Sequence, residues 1–188
     1  MQIDDSLTLF LPLIVTITLT FLGFVITYVN NLRLTRRRER LKIINAQLNE
    51  LYGPLYVITQ ASAISFRALR AKTIARGKKF VDEDAPLSED DISEWRIWVE
   101  KIFIPSNEKL EKVIIEKAHL LREKDIPDCL RYFIAHNAGY KVVAEKWRLK
   151  DFSEAISIIP YPKEIVEYSE KSFQHLKRLQ LKMIGHIS

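Results

Sequence analysis

The chain is short of the residue types on which several protein classes depend. Its 188 residues include one cysteine and five glycines. A single cysteine cannot form an intramolecular disulfide, which excludes a disulfide-stabilised scaffold. So few glycines exclude a collagen-like or low-complexity chain. Apolar residues make up 47% of the sequence, too large a share for an intrinsically disordered protein. The composition therefore indicates a folded chain of single-domain length.

Motifs that serve common enzymatic chemistry are also scarce. The four histidines stand far apart, without a His-x-x-x-His pair on one helical turn, so we expect no bound metal. A glycine-rich phosphate loop is missing, and we expect no cofactor. The alternating apolar and polar residues typical of β-strands are missing too. The sequence therefore predicts an all-α protein.

One long segment, residues 7–29, carries no Asp, Glu, Lys, Arg or His. A helix of this length spans about 34 Å, enough for a hydrocarbon core about 30 Å thick. A cleaved signal peptide would begin with basic residues, whereas Asp4 and Asp5 precede this segment. The sequence predicts one N-terminal transmembrane helix at 7–29, preceded by a short extracytoplasmic N-terminus at 1–6.

A basic cluster follows the predicted transmembrane helix. Residues 30–42 contain six bases and one acid, whereas residues 43–188 contain 23 bases and 21 acids. The positive-inside rule places the side of the cluster in the cytoplasm, and the bases would lie against anionic lipid headgroups. The six bases, which we call the basic collar, are Arg33, Arg36, Arg37, Arg38, Arg40 and Lys42. Because these bases lie next to the predicted membrane span, they do not favour nucleic acid as a partner. We also expect a basic helical stalk over residues 30–52.

Small residues recur along one side of the predicted transmembrane helix. Thr16, Thr20, Gly23 and Thr27 lie within about 60° of one another at 100° per residue. Small side chains allow two helices to approach closely in lipid, and threonine hydroxyls can bond across the contact. We predict that this face packs against a second copy or a partner membrane protein. Alternatively, threonine is simply tolerated in a single span.

Residues 53–188 follow a helical pattern interrupted by proline and acidic segments. Apolar residues recur at three- and four-residue spacing, and the interruptions predict a cytosolic bundle of about five helices. Pro54 is expected to kink or break the first helix. Helix ends are expected near Pro105 and Gly185, a loop is expected over residues 77–88, and Pro127 is expected early in a helix.

Inward-facing residues follow from the same spacing. One stripe runs along the chain to either side of Pro54; its members are Leu41, Ile44, Leu48, Leu51, Leu55, Ile58, Ser62, Phe66 and Leu69. The helix expected before Pro105 should bury Trp95, Val99 and Ile102. The lone Cys129 lies in an apolar helical pattern, which favours a small buried side chain over a nucleophile.

One short spacing resembles a catalytic signature. Arg131 and His136, with four residues between them, are similar to the signature of HEPN-type ribonucleases, which are also all-α bundles. The resemblance implies His136 as the acid–base group and Arg131 as the phosphate-stabilising group, roles consistent with general acid–base catalysis. The sequence departs from the signature at Tyr132, where a polar residue is usual. The alternative is a surface arginine and a packed histidine.

A second resemblance spans most of the chain. Its residues include Leu51-Tyr52-Gly53-Pro54-Leu55-Tyr56, Ile104-Pro105-Ser106-Asn107, Ala118-His119-Leu120 and Asp151-Phe152-Ser153. Together with the single span and the basic collar, they resemble a group of small bacterial single-pass membrane proteins with a helical cytosolic domain. The resemblance implies a bacterial inner-membrane location and no particular activity.

Three functions are compatible with these patterns. The first is a non-enzymatic, membrane-anchored interaction protein that binds itself or a partner protein. The second is a membrane-tethered ribonuclease that uses Arg131 and His136. The third is an effector that perturbs the membrane after several spans assemble around the Thr16–Thr27 face. Of these, the sequence favours the first.

Overall fold

The fold is that of a computed structural model, which describes residues 5–76 and 89–185. Most of these residues are helical and none of them forms a strand, which confirms the all-α prediction. The elements are α1 (Asp5–Ala46), a first π-turn (Gln47–Tyr52), α2 (Gly53–Ala75), α3 (Glu89–Trp98), a second π-turn (Val99–Phe103), α4 (Ile104–Glu116), a 3₁₀ turn (Ala118–Leu120), α5 (Asp128–Arg148) and α6 (Glu164–Ile184). The loop expected over 77–88 lies outside the described residues.

The chain divides into two compact units, Met1–Ile43 and Ile44–Ser188. In the first unit, the helix near the N-terminus is long and apolar enough to cross a membrane. An 18-residue window of it has a mean hydropathy of 2.3, and none of that window is buried. Large apolar side chains from Phe10 to Leu34 are exposed on this helix. A helix that is apolar on all sides and unburied is typical of a membrane span.

The second unit, which we call the helical unit, contains two clusters of buried side chains. The first includes Leu51, Leu55, Leu110, Phe133 and Ile165 and joins the first π-turn to α2, α4, α5 and α6. The second cluster joins α2, α3, the second π-turn and α5; its members are Leu69, Trp95, Val99, Tyr140, Val143 and Trp147. The predicted inward stripe around Pro54 is confirmed by the burial of its leucines at positions 48, 51, 55 and 69.

Two prolines of the helical unit, Pro54 and Pro105, lie inside continuous helices. A kink or a break was predicted at Pro54, and the helix is not broken there. The Gly53 amide donates to the Leu48 carbonyl, and the Ile104 amide donates to the Val99 carbonyl. Both bonds span five residues, as in a π-turn, and each comes directly before a proline. Proline lacks an amide hydrogen and its ring crowds the carbonyl four residues earlier. A wider turn at that point lets the helix pass the proline without stopping.

The prediction that a helix ends near Pro105 is therefore wrong. The described residues 89–116 form one helix with a π-turn at its centre. The same turn explains an error in the inward face, because the extra residue displaces the helical register. Ile102 was expected to face inward, but it is 41% exposed. Phe103, one position later, packs against the second cluster instead.

Helix ends elsewhere follow local backbone chemistry. Gly185 has a φ of 84°, in the left-handed region, and its amide donates to the Leu181 carbonyl. This geometry confirms the predicted stop at a glycine. Pro127 lies at the N-cap of α5 with an extended ψ of 141°. Its position is therefore one residue before the helix and not, as predicted, within the first turn.

The first π-turn leaves no room for a side chain at position 53, which is therefore expected to require glycine. A Cβ atom added there would overlap the Leu48 carbonyl oxygen, which belongs to the backbone and cannot rotate away. We expect Gly53→Ala to lower the free energy of unfolding of the helical unit by about 1–3 kcal/mol. Chemical denaturation followed by tryptophan fluorescence measures this, because all three tryptophans lie in that unit.

The matched control is Gly23→Ala, since a Cβ atom there meets nothing within 4 Å. This variant should unfold at the same denaturant concentration as the wild type. An equally stable Gly53→Ala variant would contradict the role assigned to the π-turn.

Candidate functional site

The proposed packing face of α1 is built from hydroxyls that bond to their own helix. The Oγ1 atoms of Thr16, Thr20 and Thr27 each donate to the carbonyl oxygen four residues earlier, at 2.8 Å in every case. Gly23 faces open space. The hydroxyls thus have a hydrogen-bond partner without a second helix. The side chains of this face are small, as close packing of two helices requires.

The six bases of the collar are all exposed on α1. Lys42 pairs with Glu39 at 2.9 Å, and both side chains are largely in solvent. Such an exposed pair adds little stability. The collar therefore presents its charge outward, as contact with anionic headgroups requires.

Arg131 and His136 lie on the same helix in different environments. The Arg131 side chain is 66% exposed and forms an ion pair with Asp128, which raises the pKa of its guanidinium. His136 is 6% exposed. Five residues along a helix correspond to a rotation of about 140°. The structure does not bring the two side chains to a common site.

His136 fixes the segment between α5 and α6. Its Nδ1 lies 2.6 Å from the Ile159 carbonyl oxygen, so Nδ1 carries the hydrogen and Nε2 is left as an acceptor. The ring contacts Tyr140 and Tyr161 edge to face, with centroids 4.9 and 5.3 Å away. Burial lowers the pKa of His136 below its ordinary value. The imidazole is thus neutral and buried near neutral pH.

Two tryptophans hold the same segment in the same manner. The indole nitrogen of Trp147 donates to the Glu154 carbonyl at 2.7 Å, and that of Trp95 donates to the Ala155 carbonyl at 2.9 Å. Three ring N–H groups from α3 and α5 therefore bind backbone carbonyls between residues 154 and 159. We call residues 154–159 the anchored loop.

A glycine lets the anchored loop approach α5. A Cβ atom on Gly139 would overlap the Ser157 Oγ atom. The Ser157 hydroxyl donates to the His136 carbonyl at 3.5 Å and accepts from the Ile159 amide at 3.2 Å. Sequence reasoning missed Gly139 and Ser157, because neither residue belongs to a recognised motif and the contact joins distant positions.

A cavity of about 430 Å³ lies beside His136. Residues from α2, α3, α4, α5 and α6 contribute to its wall, which is mainly aromatic and aliphatic. The aromatic residues of the wall are Phe66, Trp95, Phe103, Tyr140 and Tyr161. Burial raises the pKa values of Tyr140 and Tyr161 to about 12, so both phenols stay neutral. Cavities of this size and polarity are typical of sites for small apolar ligands.

Polar groups reach this cavity at a few places. Asn107 is 6% exposed and lines it, and its side chain has no hydrogen bond to any described residue. His136 also lines it. Arg67 and Lys163 stand at its edge, both exposed. The sequence analysis named Asn107 only as part of a short motif of the second resemblance and assigned it no role.

Other candidates from the sequence are not part of this cavity. Cys129 is half-buried, and burial raises the pKa of its thiol, which disfavours the reactive thiolate. Within residues 5–76 and 89–185, no three His, Cys, Asp or Glu side chains are grouped so that they could hold a metal ion.

Comparisons with protein-family models, with curated proteins and with solved structures found no match to this chain.

The anchoring role of His136 predicts a pH-dependent stability. Its lowered pKa means that the unfolded chain takes up the proton more readily than the folded one. The stabilising effect is therefore present above the ordinary pKa of 6.5 and is lost as the pH falls from there through the lowered value. We expect the wild type to lose stability between pH 7 and pH 5.

The variant His136→Asn separates this contribution from the rest of the protein. It should be less stable by about 2 kcal/mol at pH 7, since ring contacts are lost, and it should lose less stability on going to pH 5. His175→Asn, at an exposed position on α6, is the matched control and should behave as the wild type. Denaturant titrations at both pH values measure the difference. An identical pH dependence in His136→Asn and wild type would contradict a buried neutral imidazole.

Proposed function

We propose that this chain is a single-pass protein of the bacterial inner membrane whose helical unit binds a partner protein or a second copy of the chain. The N-terminus lies outside and the helical unit lies in the cytoplasm. The observation that carries the proposal is the apolar helix near the N-terminus, whose most apolar window is wholly unburied. Exposing so much apolar surface to water would be strongly unfavourable, so a lipid environment is the natural one.

The charges around this helix support the orientation. All six bases of the collar are exposed on the C-terminal side of the uncharged segment. Bases close to the end of a span favour the cytoplasmic side and gain from anionic headgroups there.

A face of α2 supports the binding of a protein partner. Val57, Ala61, Ile64, Ala68 and Ala71 are all exposed and follow one another at spacings of four and three residues. Val57 is 63% and Ile64 is 57% exposed. This spacing is that of the seam of a coiled coil, and an apolar stripe left in solvent is typical of an interaction surface.

The ribonuclease alternative gains no support from the site geometry. The resemblance requires Arg131 and His136 to act on one phosphate, but Arg131 pairs with Asp128 in solvent while His136 binds the Ile159 carbonyl. The interaction function, in contrast, uses surfaces that are exposed.

Self-association through α1 is tested by cysteine crosslinking in membranes. In a Cys129→Ser background, Thr20→Cys places a thiol on the predicted packing face. Thr18→Cys places it about 160° away, on the opposite side of the same helix. Both threonines make the same bond to their own backbone, at 2.8 Å, so the two variants are closely matched.

We expect oxidation to produce disulfide-linked dimers of Thr20→Cys and few of Thr18→Cys. Adding Gly23→Leu should reduce the Thr20→Cys crosslink severalfold, because the larger side chain separates the two helices. Equal crosslinking at both positions, or no effect of Gly23→Leu, would argue against this face as the contact.

Orientation is tested with reporters fused after Ser188. A fluorescent protein that matures only in the cytoplasm should be bright there, and an alkaline phosphatase fusion should be inactive. Replacing Arg36, Arg37 and Arg38 by Gln should raise phosphatase activity, because it removes half of the basic collar. The charge-matched control replaces Lys171, Lys177 and Arg178 on α6 by Gln. It should leave the phosphatase activity of the fusion unchanged. An active phosphatase in the wild type would refute the orientation.

A further inference from the structure

The cavity beside His136 has polar atoms in a mainly apolar wall. Asn107 is only 6% exposed and lines the cavity. A side-chain amide in such a position can bind a polar group of an occupant or a water molecule.

The neutral His136 adds an acceptor to the same wall. Its Nδ1 hydrogen is used by the Ile159 carbonyl, so only Nε2 remains for another group. Asn107 could donate to an acceptor atom of an occupant, and a water molecule that accompanies the occupant could donate to His136 Nε2.

The charged side chains at the edge of the cavity are both positive. Arg67 on α2 and Lys163, just before α6, line the cavity, and no carboxylate does so among the residues of its described wall. Neither side chain has an ion pair with a described residue. Two cations beside an apolar, low-dielectric cavity attract an anion more strongly than they would in open solvent.

The rest of the wall fits an alkyl chain. Aromatic rings and aliphatic side chains surround most of the space. A volume of about 430 Å³ is within the range of sites for small ligands, such as an alkyl chain of medium length. The apolar wall excludes a fully polar ligand, because its hydration would not be replaced.

We propose that the cavity binds a fatty acid of medium chain length, with its alkyl chain among the aromatic rings and its carboxylate toward Arg67 and Lys163. The polar atoms of Asn107 and His136 bond to the ligand or to a water molecule that accompanies it. This inference concerns the helical unit alone and does not depend on the proposed partner binding.

The test uses the full chain in phosphatidylcholine nanodiscs and 11-bromoundecanoate as the probe. Bromine quenches tryptophan fluorescence on contact, and Trp95 lines the cavity. The three tryptophans all lie outside the uncharged segment 7–29, and the control variants described below measure any quenching by probe dissolved in the lipid. We expect saturable quenching of the wild type.

Charge variants test the position of the carboxylate. Arg67→Gln combined with Lys163→Gln should raise the half-saturating concentration about three- to tenfold. The control, Arg178→Gln with Lys182→Gln, removes two exposed charges from α6 and should leave binding unchanged. The neutral probe 11-bromoundecanol should bind all of these proteins equally. Equal binding of the carboxylate by both double variants would overturn the proposal.

A second pair of variants tests the cavity itself. Ala63→Phe fills the space that Ala63 lines, whereas Ala138→Phe adds the same ring at an exposed position of α5. Saturable quenching should disappear in the first and persist in the second, with helicity by circular dichroism equal in both. Non-saturable quenching that is the same in both variants and the wild type would show contact outside the cavity and overturn the proposal. If Ala63→Phe fails to fold, the charge variants decide the outcome.

Discussion

The organisation of the helical unit depends on how its backbone passes two prolines. A proline interrupts the ladder of four-residue hydrogen bonds and normally ends or bends a helix. Here each of the two prolines is preceded by a turn in which the bond spans five residues, from Gly53 to Leu48 and from Ile104 to Val99. The helices therefore continue, and the side chains on either side of each proline remain on inward faces.

The first of these turns is also a major part of the core. Leu51 and Tyr52 are completely buried within it. The Tyr52 hydroxyl donates to Glu123 and accepts from the Arg122 amide, each at 3.1 Å, which ties the segment after α4 to the turn. The requirement for glycine at position 53, the continuity of the helix and the buried tyrosine are thus consequences of one backbone arrangement.

Much of the fold could be predicted from the sequence because it follows from local periodicity. The uncharged segment, the basic collar and the inward leucines at positions 48, 51, 55 and 69 all follow from short-range spacing or composition. The π-turns could not be predicted, since proline at an interior position usually marks a boundary and nothing local distinguishes the exceptions. The second π-turn adds one residue to the helix, and the wrong inward position predicted for Ile102 follows from that shift.

The candidate site was less predictable than the fold, because it depends on contacts between distant residues. His136 drew attention as one member of a six-residue spacing, yet its neighbours in space are Ile159, Tyr140 and Tyr161. Tyr161 and Ile159 lie more than twenty positions away, so no local pattern could relate them. Asn107 was named only within a short motif of the second resemblance, which implied no role for it. The cavity depends on how the elements α2 to α6 meet, which no local pattern of the sequence indicates.

The hydrogen bonds that fix the anchored loop link the wall of the cavity to the protein surface. Trp95 and His136 each line the cavity with the ring and hold a loop carbonyl with the ring nitrogen. Any rotation of either ring therefore changes a backbone bond of the loop at the same time. Ile158, within that loop, is 87% exposed. A displacement that begins inside the helical unit can thus reach an apolar surface residue through a single hydrogen bond, without the movement of a whole helix.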